Sequence, residues 1–159
     1  MRNLRLYLIY FFIFIAIVLL DRFTKKLALK LFSIYSGYFF YNIFNFELII
    51  NRGISLGLFN STNSFIFALI TVSVILITIG IIFYAIDRFN NKELVIGEIL
   101  VISGSLSNIY DRIFYGGVID FVSINYLLPF TYFNIADISI FFGIMLMIFQ
   151  FYKYEFVRN

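Results

Sequence analysis

The sequence predicts a membrane α-helical protein: a bundle of four transmembrane helices with a small β-rich region on one membrane surface. Apolar residues make up 62% of the 159 residues, and the mean hydropathy is +0.97. Soluble domains contain about 45–50% apolar residues. A soluble fold of this length would leave much of that apolar surface in water, so lipid must surround a large part of it. We therefore expect one integral membrane domain over residues 1–159.

The apolar runs define the predicted membrane spans, at about 6–22, 64–86, 94–110 and 133–152. The first resembles a signal peptide but lacks a small-residue cleavage site, so we predict an uncleaved helix. The second is uncharged throughout. The third is interrupted by Glu98, which either extends to the interface or pairs with Lys92. The last reaches the roughly 20 residues of a span only if it includes Asp137.

The loops 37–60 and 114–132 differ from the other connections because they are rich in aromatic and β-branched residues between Asn and Gly. Such composition is typical of short strands. Aromatic residues favour the membrane interface, so we expect an extracytoplasmic cradle of strands lying on the membrane. An even number of spans places both termini on one side. The 12 basic residues divide evenly between the sides, but the long first loop counts less, which favours cytoplasmic termini.

The chain contains no Cys and no His. Disulfides, Ser-His-Asp triads, Cys-His pairs and imidazole metal ligands are therefore excluded. We expect no metal and no cofactor. The net charge is +3, and the basic residues form no run of the kind that binds nucleic acid. Any catalysis must depend on Asp, Glu, Lys, Tyr or Ser.

Apart from Glu47, which lies in the strand-like loop 37–60, four of the nine acidic residues belong to the face opposite the termini: Asp21, Asp111, Asp120 and Asp137. Acidic residues at membrane depth are functional candidates. Two of them also have a purely structural interpretation. Asp21 and Lys25 have the i, i+4 spacing of a helix ion pair, and Asp111 next to Arg112 is compatible with an ordinary pair at a helix end.

Asp120 and Asp137 are harder to explain as simple ion pairs. Asp120 stands in an apolar strand, where an isolated carboxylate is energetically costly. Asp137 follows Asn134 by three residues, which predicts Asn134 as the N-cap and Asp137 in the first turn of the last helix. Two carboxyl groups that share one proton would explain both positions. Such a pair activates water for amide hydrolysis.

Five short motifs occur in order along the chain: "DRFTK", "NRGISLG", "SNIYDR", "GGVIDF" and "FNIAD". In this respect the chain resembles the lipoprotein signal peptidase (signal peptidase II) family, bacterial membrane aspartyl proteases that trim prolipoproteins. The motifs extend across all four predicted spans. The chain departs from the family pattern at Ile54, Ser55, Ser107 and Ile138, and none of these departures removes a catalytic group.

The resemblance implies that Asp120 and Asp137 are the catalytic pair. It implies a second group of residues that shape the site, namely Asn51, Gly53, Asn108, Arg112, Asn134 and Ala136. Asp21, Lys25 and Asp111 would give structural support. The implied activity is cleavage of diacylglyceryl-modified prolipoproteins just before the lipidated Cys. The implied setting is the bacterial cytoplasmic (inner) membrane, with the enzyme a monomer surrounded by membrane lipids.

A small proton-coupled transporter is the main alternative, since intramembrane Asp residues also serve as proton relays. A transporter would be expected to have polar residues through the centres of its spans. The second span contains only Ser, Thr and Gly as breaks in its apolar run.

Overall fold

In the computed structural model, four helices and a four-stranded sheet are formed by residues 2–32, 38–40, 44–53, 63–124 and 132–158, the part of the chain that the structure describes. The helices are α1 (Arg2–Phe32), α2 (Ser64–Asn90), α3 (Ile96–Tyr115) and α4 (Ile135–Arg158). The strands are β1 (Tyr38–Phe40), β2 (Phe44–Asn51), β3 (Val118–Ile124) and β4 (Tyr132–Phe133).

Three of the described helices are long and apolar enough to cross a membrane: Leu4–Phe32, Ser64–Asn90 and Ile135–Lys153. Their outer faces carry large exposed side chains such as Phe65, Phe83 and Phe149, whose exposed fractions are 74%, 68% and 65%. Surfaces of this kind are stable only against lipid. The chain is therefore a multi-pass membrane protein. The α1 helix continues beyond the predicted span because the segment up to Phe32 is rich in helix-forming Lys, Leu and Ala.

The α3 helix covers the predicted third span, but it differs from the other helices in its surroundings. It packs against α1, α2 and α4, so protein rather than lipid covers most of its side chains. This explains how it accommodates buried polar groups, including Glu98, Ser103 and Asp111, each 0% exposed. Polar residues in membrane helices face the bundle interior for this reason.

The predicted β-rich region is confirmed in its described part, an antiparallel sheet with strand order β1-β2-β3-β4. The register pairs Ile49 with Asp120 and Asn51 with Val118, after an irregularity in β2 that follows Phe46. The segments 54–62 and 125–131, which belong to the same predicted region, lie outside the described residues.

Close packing of α3 on α4 depends on small residues. A Cβ added at Gly104 would lie 2.5 Å from the carbonyl oxygen of Ala136, and one at Gly97 would lie 2.9 Å from that of Gly143. Small residues at such contacts let two membrane helices approach closely. The contact at Gly104 matters for the site because Ala136 directly precedes Asp137.

We expect Gly104→Ala to destabilise the protein by about 1–3 kcal/mol, because the added methyl group meets backbone that cannot move aside without shifting α4. Gly80→Ala is the matched control, since Gly80 has no atom within 4 Å of an added Cβ. Its effect should be a stabilisation of at most about 1 kcal/mol, from helix propensity alone. Denaturation of the purified variants measures both. Equal stability of the two would contradict the packing argument.

Of the two alternatives given for Glu98, pairing with Lys92 is wrong. The Arg88 guanidinium on the last turn of α2 binds the Glu98 carboxylate instead. It also donates to Glu93 Oε2 at 2.8 Å and to Gln150 Oε1 at 3.0 Å. A guanidinium has several donors in one plane, so it can bridge three groups where a lysine would be a single point charge.

Candidate active site

Asp120 and Asp137, predicted as a pair, line one cavity of about 170 Å³. Asp120 lies within β3 and is 1% exposed, and Asp137 lies in the first turn of α4. Asn51, Asn108 and Arg112 line the same cavity. The fold thus brings both acids and three of the predicted site-shaping residues to one place.

Both carboxylate oxygens of Asp120 accept hydrogen bonds from neutral amides. Asn51 Nδ2 donates to Oδ2 at 2.9 Å, and Asn134 Nδ2 donates to Oδ1 at 2.7 Å. The Asn51 amide is itself oriented, because its Oδ1 accepts from the backbone N–H of Gly53 at 2.8 Å. These contacts explain how an apolar strand tolerates a carboxylate, because each Asp120 oxygen has an amide donor. Among the described residues no cation forms an ion pair with Asp120.

Asp137 and Asn134 form a reciprocal cap at the start of α4. Asn134 Oδ1 accepts from the Asp137 N–H at 3.0 Å, and Asp137 Oδ2 accepts from the Asn134 N–H at 3.2 Å. This is a capping box, and the predicted N-cap is present. Asp137 Oδ1 accepts from Asn108 Nδ2 at 2.9 Å. Cap and amide together define the orientation of the Asp137 carboxylate.

The suggested local pair of Asp111 with Arg112 is wrong, because these neighbours point to different partners. Arg112 donates to the carbonyl oxygens of Gly53 and Arg52, which places its guanidinium at the end of β2. Asp111 turns towards α1. Successive side chains on a helix leave it about 100° apart, which directs Asp111 and Arg112 to different elements.

Four charged residues and one serine form a buried group that we term the α1–α3 ion cluster, consisting of Asp21, Arg22, Lys25, Ser107 and Asp111. Lys25 Nζ lies 2.8 Å from Asp21 Oδ2 and 2.7 Å from Asp111 Oδ2. Arg22 lies 3.0 Å from Asp21 and 2.6 Å from Asp111. Two carboxylates face two cations, so the formal charges of the cluster balance. The expected Asp21–Lys25 contact is present, within a larger network.

The cluster contacts both segments that carry the paired acids. Asp21 Oδ1 accepts from the backbone N–H of Ala136 at 3.0 Å, one residue before Asp137. Asp111 Oδ2 accepts from the backbone N–H of Ile119 at 3.2 Å, one residue before Asp120. Asp21 and Asp111 therefore each bind the backbone of the residue that directly precedes Asp137 or Asp120, respectively.

Lys25 makes a further contact that reaches the site itself. Its Nζ donates to Asn108 Oδ1 at 2.8 Å. With the oxygen of the Asn108 amide directed at Lys25, the nitrogen faces Asp137. Asn134 Nδ2 donates to the same oxygen at 3.2 Å, so Lys25 and Asn134 together orient this amide towards the Asp137 carboxylate.

Sequence reasoning missed Arg22 and Ser107 as members of the cluster. Ser107 Oγ donates to Asp21 Oδ2 at 2.6 Å and accepts from Arg22 Nε at 3.1 Å. Ser107 stood out only as a departure from a family pattern. One available signal was its i, i+4 spacing to Asp111, which puts both residues on one helix face.

Burial of Asp120 and, to a smaller extent, the nearby charge of Asp137 raise its pKa from the ordinary value of 3.8 to about 7. Hydrogen bonds from Asn51 and Asn134 oppose the increase in the pKa. Asp120 lies on β3, outside the helices. At neutral pH it can therefore hold a proton while its partner is ionised.

This raised pKa predicts a pH-dependent stability. Between pH 3.8 and about pH 7 the folded protein binds more protons at Asp120 than the unfolded chain does. Stability from this group is therefore complete below pH 3.8 and decreases as the pH rises through about 7. The check is the Tm of wild type and Asp120→Asn across that range. The Tm of the variant should decrease less with rising pH than the Tm of wild type. The same pH dependence of Tm in both proteins would contradict the raised pKa of Asp120.

Comparison with known proteins identifies the family. The family model described as signal peptidase (SPase) II matches residues 13–153. A lipoprotein signal peptidase of Wigglesworthia glossinidia brevipalpis is 42% identical over 139 residues, covering 87% of this chain and 90% of the relative. One of Clostridium novyi is also 42% identical over 139 residues, covering 83% and 90%.

Solved structures agree with the sequence comparisons. Two bacterial membrane enzyme structures superpose with TM-scores of 0.71 and 0.68, each at 25% identity. The first covers 91% of this chain and 87% of its own, and the second covers 89% and 91%. The resemblance carried by the five sequence motifs is confirmed, and the chain belongs to the signal peptidase II family.

Proposed function

We propose that this chain removes signal peptides from prolipoproteins as an aspartic endopeptidase with Asp120 and Asp137 as its catalytic pair. The family is one of proteases, so peptide hydrolysis is the activity of this chain. The observation that supports the residue assignment is that two acids from separate elements line one cavity. Amide side chains bind both carboxylate oxygens of Asp120 there. Membership in a peptidase family disfavours the proton-coupled transporter.

The proposed chemistry divides acid and base roles between the two carboxyl groups. Asp120, with its raised pKa, holds the shared proton and donates a hydrogen bond to the scissile carbonyl oxygen. Asp137 accepts a proton from water as the water oxygen attacks the carbonyl carbon. Asp137 then passes this proton to the amide nitrogen, which allows the C–N bond to break and gives a carboxylic acid and an amine. The two groups titrate as a pair, so pH profiles report the pair rather than either residue.

The proposed substrate is a prolipoprotein already modified with diacylglyceryl, cut just before the lipidated Cys. Support comes from the position of the site, where the sheet meets the first turn of α4 at the end of an apolar helix. A substrate held by a signal helix and by acyl chains would present its cleavage site at this level. Asn51, Gly53, Asn108, Arg112, Asn134 and Ala136 would shape the site around it.

In vitro cleavage tests this function directly. Purified enzyme in detergent or lipid is given a lipidated precursor and the same precursor without the diacylglyceryl group. We expect rapid conversion of the first and little of the second. Equal cleavage of both precursors would contradict the requirement for a diacylglyceryl group, but not the peptidase activity. If an enzyme with a cooperative thermal transition cleaves neither, the proposed activity is wrong.

We further propose that α3 is a fourth crossing, that the protein acts as a monomer, and that both termini face the cytoplasm from the bacterial inner membrane. The fourth crossing is supported by the short connection between α2 and α3, because two packed helices joined by a few residues run antiparallel. The sheet and both acids of the pair would then lie on the outer side.

Single cysteines test this topology, since the chain has none of its own. Ser64→Cys and Asn91→Cys place a thiol at exposed positions next to opposite ends of α2. In intact cells, an impermeant thiol reagent should label position 64 and not position 91. The reverse pattern would contradict the proposed orientation.

A further inference from the structure

A groove of about 470 Å³ lies between α1 and α3, beside the α1–α3 ion cluster. It is larger than the cavity of about 170 Å³ that contains the paired acids, and the two share no lining residue. Its apolar part is formed by Phe14, Val18 and Leu106. The hydrogen bond between Lys25 and Asn108 lies between groove and site. The proposed chemistry makes no use of this groove.

The charges that face the groove are all positive. Arg22, Lys25 and Lys26 line it, and none of the described residues that line it is acidic. The Asp21 and Asp111 side chains that balance Arg22 and Lys25 are 0% exposed, whereas Arg22 is 20% exposed. Lys26 is exposed. A molecule in the groove therefore meets cations at one end, with the compensating carboxylates buried behind them.

The spacing of apolar and cationic residues corresponds to one lipid leaflet. From Phe14 to Arg22, α1 rises by about 12 Å, and one half of the hydrocarbon core is about 15 Å thick. Tyr110 and Tyr115 line the cationic end of the groove. The Arg22 guanidinium stacks over the Tyr110 ring, 4.9 Å from its centroid. Tyrosines and cations at one level are typical of the headgroup region.

We propose that this groove binds one anionic phospholipid of the membrane, with an acyl chain against Val18 and Leu106 and the phosphate at Arg22 and Lys26. Basic pockets between membrane helices bind anionic headgroups in this way. The inference rests on the membrane location of the chain and not on its proposed peptidase activity. The lipid is a membrane phospholipid rather than the acyl part of the substrate, because the groove and the paired acids open into separate cavities.

Thermal stabilisation by added lipid tests the proposal without an activity assay. The full chain in neutral, lipid-free detergent is titrated with phosphatidylglycerol or with phosphatidylcholine of the same acyl chains. A ligand that binds only the folded state raises the Tm. We expect the larger increase with phosphatidylglycerol, and we expect Lys26→Gln to reduce that increase by about half or more.

Two further variants keep the test decisive. Lys153→Gln removes one exposed positive charge at the far end of α4 and should keep the wild-type increase. Val18→Phe fills the apolar part of the groove without changing charge and should reduce the increase, even if Lys26→Gln fails to fold. Equal shifts with the two lipids, or equal responses of Lys26→Gln and Lys153→Gln, would overturn the proposal. Displacement of phosphatidylglycerol by a diacylglyceryl-modified peptide would overturn the choice of a membrane lipid.

Discussion

Asp120→Asn and Asp137→Asn should each abolish cleavage of a lipidated precursor. In the proposed mechanism one carboxyl group holds a proton while the other accepts one. An amide side chain can neither supply this proton nor accept one from water, so it cannot replace either carboxyl group. Asn preserves the volume of each side chain, so both variants should still fold and bind precursor. The measurement is conversion of precursor to product by purified variants, with thermal unfolding followed in parallel.

The double variant and an exposed control sharpen this test. Asp120→Asn combined with Asp137→Asn should be little worse than either single change, because residues that act as a unit are strongly non-additive. Asp87→Asn makes the same chemical change at an exposed position on α2 and should keep wild-type turnover. Substantial turnover by a well-folded single variant of either catalytic Asp would end the aspartyl-pair hypothesis.

Lys25→Met should cause the largest loss of stability among single changes in the α1–α3 ion cluster. Lys25 is 1% exposed and compensates two carboxylates that are 0% exposed. Removing one partner from a buried ionic group leaves uncompensated charge and costs about 3–5 kcal/mol. Asp21 and Asp111 also bind the backbone next to each proposed catalytic Asp, so turnover should decrease together with stability.

Lys26→Met is the matched control for this prediction. Lys26 is the next residue on the same helix, but it is exposed to the surroundings. In lipid-free detergent this variant should unfold at the wild-type temperature and cleave at the wild-type rate. Denaturation curves and turnover of the two variants can be compared directly. A Lys25→Met protein that matched Lys26→Met in both would show that the buried cluster contributes little.

Sequence patterns were sufficient for features that depend on local chemistry. The apolar runs predicted helices within α1, α2 and α4, since a backbone in lipid must satisfy its hydrogen bonds internally. Alternating aromatic and β-branched residues predicted the strands of the sheet. The three-residue spacing of Asn134 and Asp137 predicted the cap, because a helix N-terminus leaves N–H groups that only nearby side chains can reach.

Tertiary structure decided which charged groups meet. Glu98 pairs with Arg88, and Asp111 with Arg22 and Lys25, although Lys92 and Arg112 are nearer along the chain. The reason is the cost of burying a charge, which selects the partner that several packed helices bring within hydrogen-bond distance.

The candidate site combines both kinds of information. Sequence alone determined that the chain is a membrane protein, and it predicted carboxylate chemistry because the chain has no His or Cys and its acids lie at the ends of apolar runs. Only the packing of α1, α3 and α4 with β3 decided that Asp120 and Asp137 share a cavity and that Lys25 binds the Asn108 amide that donates to Asp137. These contacts join residues far apart in sequence, and no local pattern specifies such distances.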